Sequence, residues 1–147
     1  MSLKNQITED MKTAMRAKET ARLGAVRLLL SAMKQREVDE RIELTDADII
    51  SIIEKMLKQR RDSIAAYESA KRTDLADIEK FEVTVLQTYL PQQLTEDEVK
   101  VILEKVVADT GAAGMKDMGT VMAAIKPLVA GKADMGKISG LIKARLS

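Results

Sequence analysis

Tyr89-Leu90-Pro91-Gln92-Gln93-Leu94-Thr95-Glu96-Asp97-Glu98 ends one helix and begins another. Pro91 has no N–H, and its ring disfavours helical backbone at Leu90. Thr95 and Glu98 then stand at the spacing of a capping box, in which the hydroxyl and the carboxylate each satisfy an orphan N–H of a new helix. The stretch therefore predicts a boundary, with residues 1–90 as an N-terminal helical domain and residues 91–147 as a smaller C-terminal one.

Upstream, the apolar residues recur at helical steps. Ser2 is placed to cap a helix with Leu3, Ile7, Met11 and Met15 on one stripe. A second helix is predicted over 20–40, with Leu23, Val26, Leu29, Leu30 and Met33 inward; its last turn and the link Arg41-Ile42-Glu43-Leu44 are densely charged and need not be ordered. Thr45-Asp46-Ala47-Asp48 reads as a capping box with Asp in place of Glu. It opens a third helix striped by Ile49, Ile52, Ile53, Met56, Leu57, Ile64 and Tyr67 and interrupted by Arg60. A fourth starts near Thr73-Asp74, with Leu75, Ile78, Phe81, Val85 and Tyr89 as its apolar series.

Downstream, Val99, Ile102, Leu103, Val106 and Val107 stripe a fifth helix that Gly111 and Gly114 end. A sixth is predicted from about Lys116, carrying Met118, Val121, Met122 and Ile125, with Pro127 kinking or ending it. Gly131-Lys132-Ala133-Asp134 makes a turn, and Asp134 caps a seventh helix with Ile138, Leu141, Ile142 and Leu146 inward. The fold class is all-α: four helices, some long, then three short ones.

Composition agrees with that and excludes much chemistry. The 147 residues are 46% apolar and 32% charged, with three aromatics, Tyr67, Phe81 and Tyr89. So few aromatics argue against a β-sandwich or barrel. There is no cysteine and no histidine, so disulfides, thiolate catalysis and Ser-His nucleophiles have no residues to use. No P-loop or GxSxG motif occurs. Carboxylate pairs such as Asp46/Asp48 and Glu96/Glu98 fall in helix first turns, where a carboxylate serves the backbone. No enzyme activity, cofactor or metal is expected. The N-terminal stretch lacks the apolar core of a signal peptide, and no apolar run has membrane-spanning length, so a cytoplasmic location is expected.

The near-neutral total, 24 basic against 23 acidic residues, hides an asymmetry. Residues 1–90 balance at 16 and 16, whereas residues 111–147 hold six basic side chains and two acidic ones. Lys116, Lys132 and Lys137, with Lys126 and Lys143 next, are the candidate phosphate-facing residues. With no aromatic platform there, any nucleic acid would be recognised by shape and phosphate. A second basic cluster, Lys58, Arg60 and Arg61, is a candidate to face phosphate or a groove between the domains; Arg60, on the Ile53/Met56/Ile64 stripe, is either partly buried and paired or faces that groove. Solvated ion pairs, Glu54/Lys58 and Lys58/Asp62, are the ordinary alternative. Met115, Met118, Met122 and Met135 crowd the last third, and only Met118 and Met122 have core spacing.

Asp117-Met118-Gly119-Thr120-Val121-Met122, then Gly131-Lys132-Ala133-Asp134 and a last helix ending Ala144-Arg145-Leu146-Ser147, resemble the YqeY family. The same pattern closes the B subunit of the glutamine-dependent aminoacyl-tRNA amidotransferase, GatB. Ala25-Val26-Arg27-Leu28-Leu29, Leu57-Lys58-Gln59-Arg60-Arg61-Asp62-Ser63 and Tyr89-Leu90-Pro91-Gln92-Gln93-Leu94 extend the resemblance over essentially the whole chain. It implies a GatB/YqeY tail-like C-terminal domain that helps dock tRNA, alone or within an amidotransferase-type complex with an aminoacyl-tRNA-related enzyme. The amidation chemistry of GatB lies in a domain with no counterpart here. Two alternatives stand beside this expectation: a protein-interaction module using an inter-domain groove, and an accessory component with carbon–nitrogen ligase activity carried by the family label.

Overall fold

The computed structural model describes residues 2–147. Its helices are α1 (Leu3–Arg16), α2 (Thr20–Glu40), α3 (Asp46–Ser69), α4 (Thr73–Gln87), α5 (Glu96–Thr110), α6 (Met118–Val129) and α7 (Met135–Leu146), with a 3-10 turn at Met115–Asp117. No strand occurs among the described residues, and the protein is all-α. The chain divides into two compact units, one ending at Leu90 and the other starting at Pro91.

The helix starts follow local chemistry. Ser2 Oγ accepts from Asn5 N–H at 3.2 Å. Thr45 and Asp48 form a reciprocal capping box, as do Thr95 and Glu98. Gly111, at φ +68°, closes α5 in the left-handed region that a residue without Cβ enters freely.

In the first unit, Ile7, Val26, Leu29, Met33, Ile49, Ile53, Leu57 and Leu86 form the centre of one core. Each such side chain contributes roughly 1.5–3 kcal/mol on burial. Met15 is exposed and Ala14 takes its place inside. Successive steps of four drift by about 40° on a helix of 3.6 residues per turn, so Met15 has rotated off the face that Leu3 and Ile7 define, whereas Ala14 has not. The link after α2 is ordered: Arg41 adopts a left-handed cap and Leu44 is buried. Leu23, Leu30, Ile64 and Tyr67 are only partly buried. Ile78 and Phe81 were expected inside and lie outside, 58% and 41% exposed. Val85 and Tyr89 of the same series are buried as expected, and Ala76 and Leu86 face inward with them.

In the second unit, α5, α6 and α7 bury Val99, Leu103, Val106, Val121, Ile125, Ile138 and Ile142 against one another. Pro127 lies inside α6, which runs on to Val129. The proline forfeits only the bond to the Ala123 carbonyl, and both residues are exposed, so water can satisfy that oxygen. Buried Val129 holds the last turn down. Met135, like Met118 and Met122, packs against this core, whereas Met115 is exposed.

Candidate functional site

The segment after Pro91 is stitched to the turn between α6 and α7. Leu94 N–H donates to the Lys132 carbonyl at 2.8 Å, and Gln93 Nε2 donates to the Gly131 carbonyl at 2.8 Å. Gly131, at φ +72°, makes the tight reversal. This fixes the backbone from which Lys132 projects. At the far end of α6, Ser147 Oγ lies 3.9 Å from Met115 Sδ. The two helices are thus antiparallel.

That arrangement sorts the candidate lysines into two groups. Lys126 in the last turn of α6, Lys132 in the connecting turn and Lys137 in the first turn of α7 gather at one end. Lys116, in the 3-10 turn, and Lys143, in the last turn of α7, stand at the other end. A helix of this length separates the ends by about 18 Å. All five are exposed, and none has an ion-pair partner among the described residues. The sixth cation, Arg145, differs: its Nε lies 2.6 Å from Glu104 Oε1 on α5, which raises its pKa.

The two carboxylates of the segment are committed to backbone. Asp117 Oδ2 accepts from Ala113 N–H at 2.9 Å and Gly114 N–H at 3.4 Å, and these bonds, chiefly the first, hold its pKa below the usual carboxylate range. Asp134 Oδ1 accepts from Gly136 N–H at 2.9 Å and caps α7. The start of α7 therefore already has its anion, and a phosphate would meet lysine side chains on the outer faces instead. Gly119 and Gly140 lie on exposed helix faces with open space where a Cβ would stand. Interior packing does not require them.

The second basic cluster comes apart. Arg60 is partly buried, with its Nε 2.5 Å from Glu82 Oε2 and 3.2 Å from Glu79 Oε2 on α4. Glu79 Oε2 receives no well-directed hydrogen bond, and the neighbouring guanidinium is what balances its charge. Lys58 and Arg61 are exposed on α3.

No group of three or more His, Cys, Asp or Glu side chains placed to hold a metal occurs among the described residues. The carboxylate pairs have structural partners. Asp46 accepts from Leu3 N–H, Asp48 and Glu98 complete capping boxes, and Glu96 pairs with Lys100. Among the described residues no helix is long and apolar enough to cross a membrane.

These features describe a two-unit helical protein with no evident catalytic set and a surface of free lysines on its last two helices. The chain belongs to the YqeY-like protein family, whose pattern matches residues 4–146. It is also similar to curated fungal proteins named "altered inheritance of mitochondria protein 41, mitochondrial". The relative from Vanderwaltozyma polyspora is 32% identical over 76% of this chain and 64% of its own length. The one from Kluyveromyces lactis is 34% identical over 56% and 45%. The one from Pyrenophora tritici-repentis is 32% identical over 82% and 70%. The chain thus spans about half to two thirds of the length of the first two relatives. Their names overturn the expectation of a cytoplasmic location, since all are mitochondrial. That expectation leaned on missing apolar stretches, which do not distinguish the cytosol from the aqueous interior of an organelle.

Proposed function

We propose that the protein binds folded RNA of the tRNA kind, free or held by an amidotransferase-type enzyme, through the lysines of α6, α7 and the turn joining them. The observation that supports this most is electrostatic. Five lysines stand exposed and outside the described ion pairs, while both carboxylates of the same segment accept hydrogen bonds from backbone N–H groups. Each phosphate such a lysine meets releases a condensed counterion, which makes binding favourable and salt-dependent. The open glycine faces at Gly119 and Gly140 let a sugar–phosphate backbone approach the helices closely. Lys126, Lys132 and Lys137 form the principal contact, and Lys116 and Lys143 a second one about 18 Å away, a helix length. Arg145 is excluded because Glu104 already neutralises it.

Recognition of this kind reads shape, so affinity should fall when a tRNA is unfolded and should depend little on its sequence. The test is titration of a folded tRNA transcript at several salt concentrations. Log affinity should fall by about one unit per tenfold rise in salt for each phosphate engaged, hence by about three or more. Salt-independent binding, or none at low salt, would contradict the reading.

A further inference from the structure

The first unit carries an apolar groove on its surface, and its chemistry is the opposite of the lysine surface. One wall is α2, which presents Ala21, Gly24, Ala25 and Leu28; the other is α4, which presents Ile78 and Phe81. The groove encloses about 640 Å³. Leu28, Ile78 and Phe81 are 45%, 58% and 41% exposed, a contiguous apolar patch of the sort that marks interaction sites. Phe81 is the chain's only phenylalanine, and aromatic side chains are the usual anchors of such interfaces.

The groove exists because α2 has no large side chain opposite Ile78. Ile78 and Val85 lie about 20° apart on one face of α4, by helical geometry. Val85 is nonetheless buried and Ile78 is not. The difference is the neighbour: near its start α2 offers only small residues. Gly24 is the extreme case. A Cβ built on it meets nothing within 4 Å, so the fold of this chain does not demand glycine there. Glycine within a helix costs roughly 0.5–1 kcal/mol relative to alanine. A second helix packed into the groove would give that position a use, because close interhelical approach needs a small residue where the helices touch.

Charge selects the occupant. Two carboxylates line the groove, Asp77 and Glu82, and no cation does. The cations nearby are engaged elsewhere: Lys80 with Glu68 at 2.7 Å, Arg22 with Glu19 at 3.3 Å. Arg60 neutralises Glu82 from the α3 side, and Asp77, exposed on the rim and in none of the described ion pairs, feels Lys80 only as a weaker partner than Glu68 does. Phosphate is disfavoured here. Strand addition has nothing to build on, since the described residues form no sheet edge. The α2 wall runs for about 12 Å along its axis, two turns of a partner helix.

We infer that this α2–α4 groove docks an amphipathic helix of a partner protein, with an apolar face of i, i+4 and i+7 anchors seated against Gly24 and Phe81 and Lys or Arg on the edge that meets Asp77. The assignment stands independently of RNA binding by α6 and α7. Together the two surfaces make the chain an adaptor: one unit for an anionic polymer, the other for a cationic helix.

The test is selection of a displayed library of helical peptides on the whole protein, randomised at the anchor positions and, between Lys/Arg and Glu, at the edges. Enriched peptides should carry apolar anchors and cationic edges. Their affinity should fall at least roughly tenfold on Gly24→Leu, which fills the groove from an open position, the size of loss usual for a blocked anchor site. Asp77→Lys should weaken them and shift a repeat selection towards acidic edges. Circular dichroism and melting of both variants establish that the fold is kept. Peptides with acidic edges, peptides indifferent to both substitutions, or no enrichment would overturn the assignment. So would sedimentation showing a wild-type dimer that Gly24→Leu dissociates, since a second copy would then fill the groove.

Discussion

The two units use their cations in opposite ways. In the first, basic side chains are joined to acidic ones across and along helices: Lys4 to Glu37, Arg36 to Glu40 and Asp48, Arg60 to Glu79 and Glu82, Arg72 to Asp74, Lys80 to Glu68. In the second, the described ion pairs, Lys100 with Glu96 and Arg145 with Glu104, both take their acid from α5, and the five lysines of 116–143 are left over. A nearly balanced charge count therefore means different things in the two units. Paired cations on α1 to α4 help hold helices together. The lysines on α6, α7 and the turns beside them join no helices through the described ion pairs, and the proposed RNA binding is what would use them.

The sharpest way to break this comparison is to separate its halves. Because the hydrogen bonds from Gln93 and Leu94 to the Gly131–Lys132 turn lie wholly after Pro91, residues 91–147 should fold without the rest. A fragment of that span should be helical and melt cooperatively by circular dichroism. A coil spectrum would mean that the second unit borrows its stability, and that its surface cannot be considered apart.

Removing a paired cation should cost next most. Arg60→Met leaves Glu79 and Glu82 facing each other, both partly buried, and should destabilise the protein by about 2–3 kcal/mol in denaturant melts, somewhat below the cost of breaking a fully buried pair. Adding Glu79→Gln and Glu82→Gln should recover much of it. Lys132→Gln and Lys137→Gln, by contrast, should stay within about 0.5 kcal/mol of wild type. A large destabilisation from either would show that the free lysines are structural after all.

A smaller effect distinguishes the first unit by pH. Tyr89 is buried, and its hydroxyl donates to Asp10 Oδ2 at 2.6 Å. Burial first, and the adjacent carboxylate second, push the phenol's pKa well above its ordinary value of about 10. The folded state thus holds the proton more tightly than the unfolded one. Its contribution is complete below about pH 10 and fades as pH rises beyond that. Tyr89→Phe should lower stability by about 1–2 kcal/mol near neutrality, because it removes a hydrogen bond to a charged acceptor. Its decline above about pH 10 should be shallower than that of wild type, and parallel curves would contradict the coupling.

What the sequence disclosed follows the range of the interactions. The caps at Ser2, Thr45, Thr95 and Asp134 were legible because a cap is decided by residues three or four apart. The helical stripes were legible for the same reason. Ile78 and Phe81 were misread because their spacing is that of a core residue and their exposure is set by Ala21 and Gly24, more than fifty positions away. How far α6 would continue past Pro127 was not legible, because the cost depends on whether water reaches the Ala123 carbonyl. The candidate lysines could be named from the local charge count. Their division between the two ends of the α6–α7 pair could not, since it follows from antiparallel packing. Arg60 had two open readings, and only the position of α4 selected between them.

The most direct test of the central claim compares matched sets of lysines in one binding experiment. Lys126, Lys132 and Lys137 are changed together to Gln in one variant, and Lys4, Lys12 and Lys18 of the first unit in another. Both variants and wild type are titrated with folded tRNA across a salt series. The account predicts that the first variant flattens the slope of log affinity against log salt by about three units, one for each phosphate no longer neutralised, while the second keeps the wild-type slope. Equal flattening in both, or wild-type binding in the first, would contradict the assignment of the RNA surface to α6 and α7.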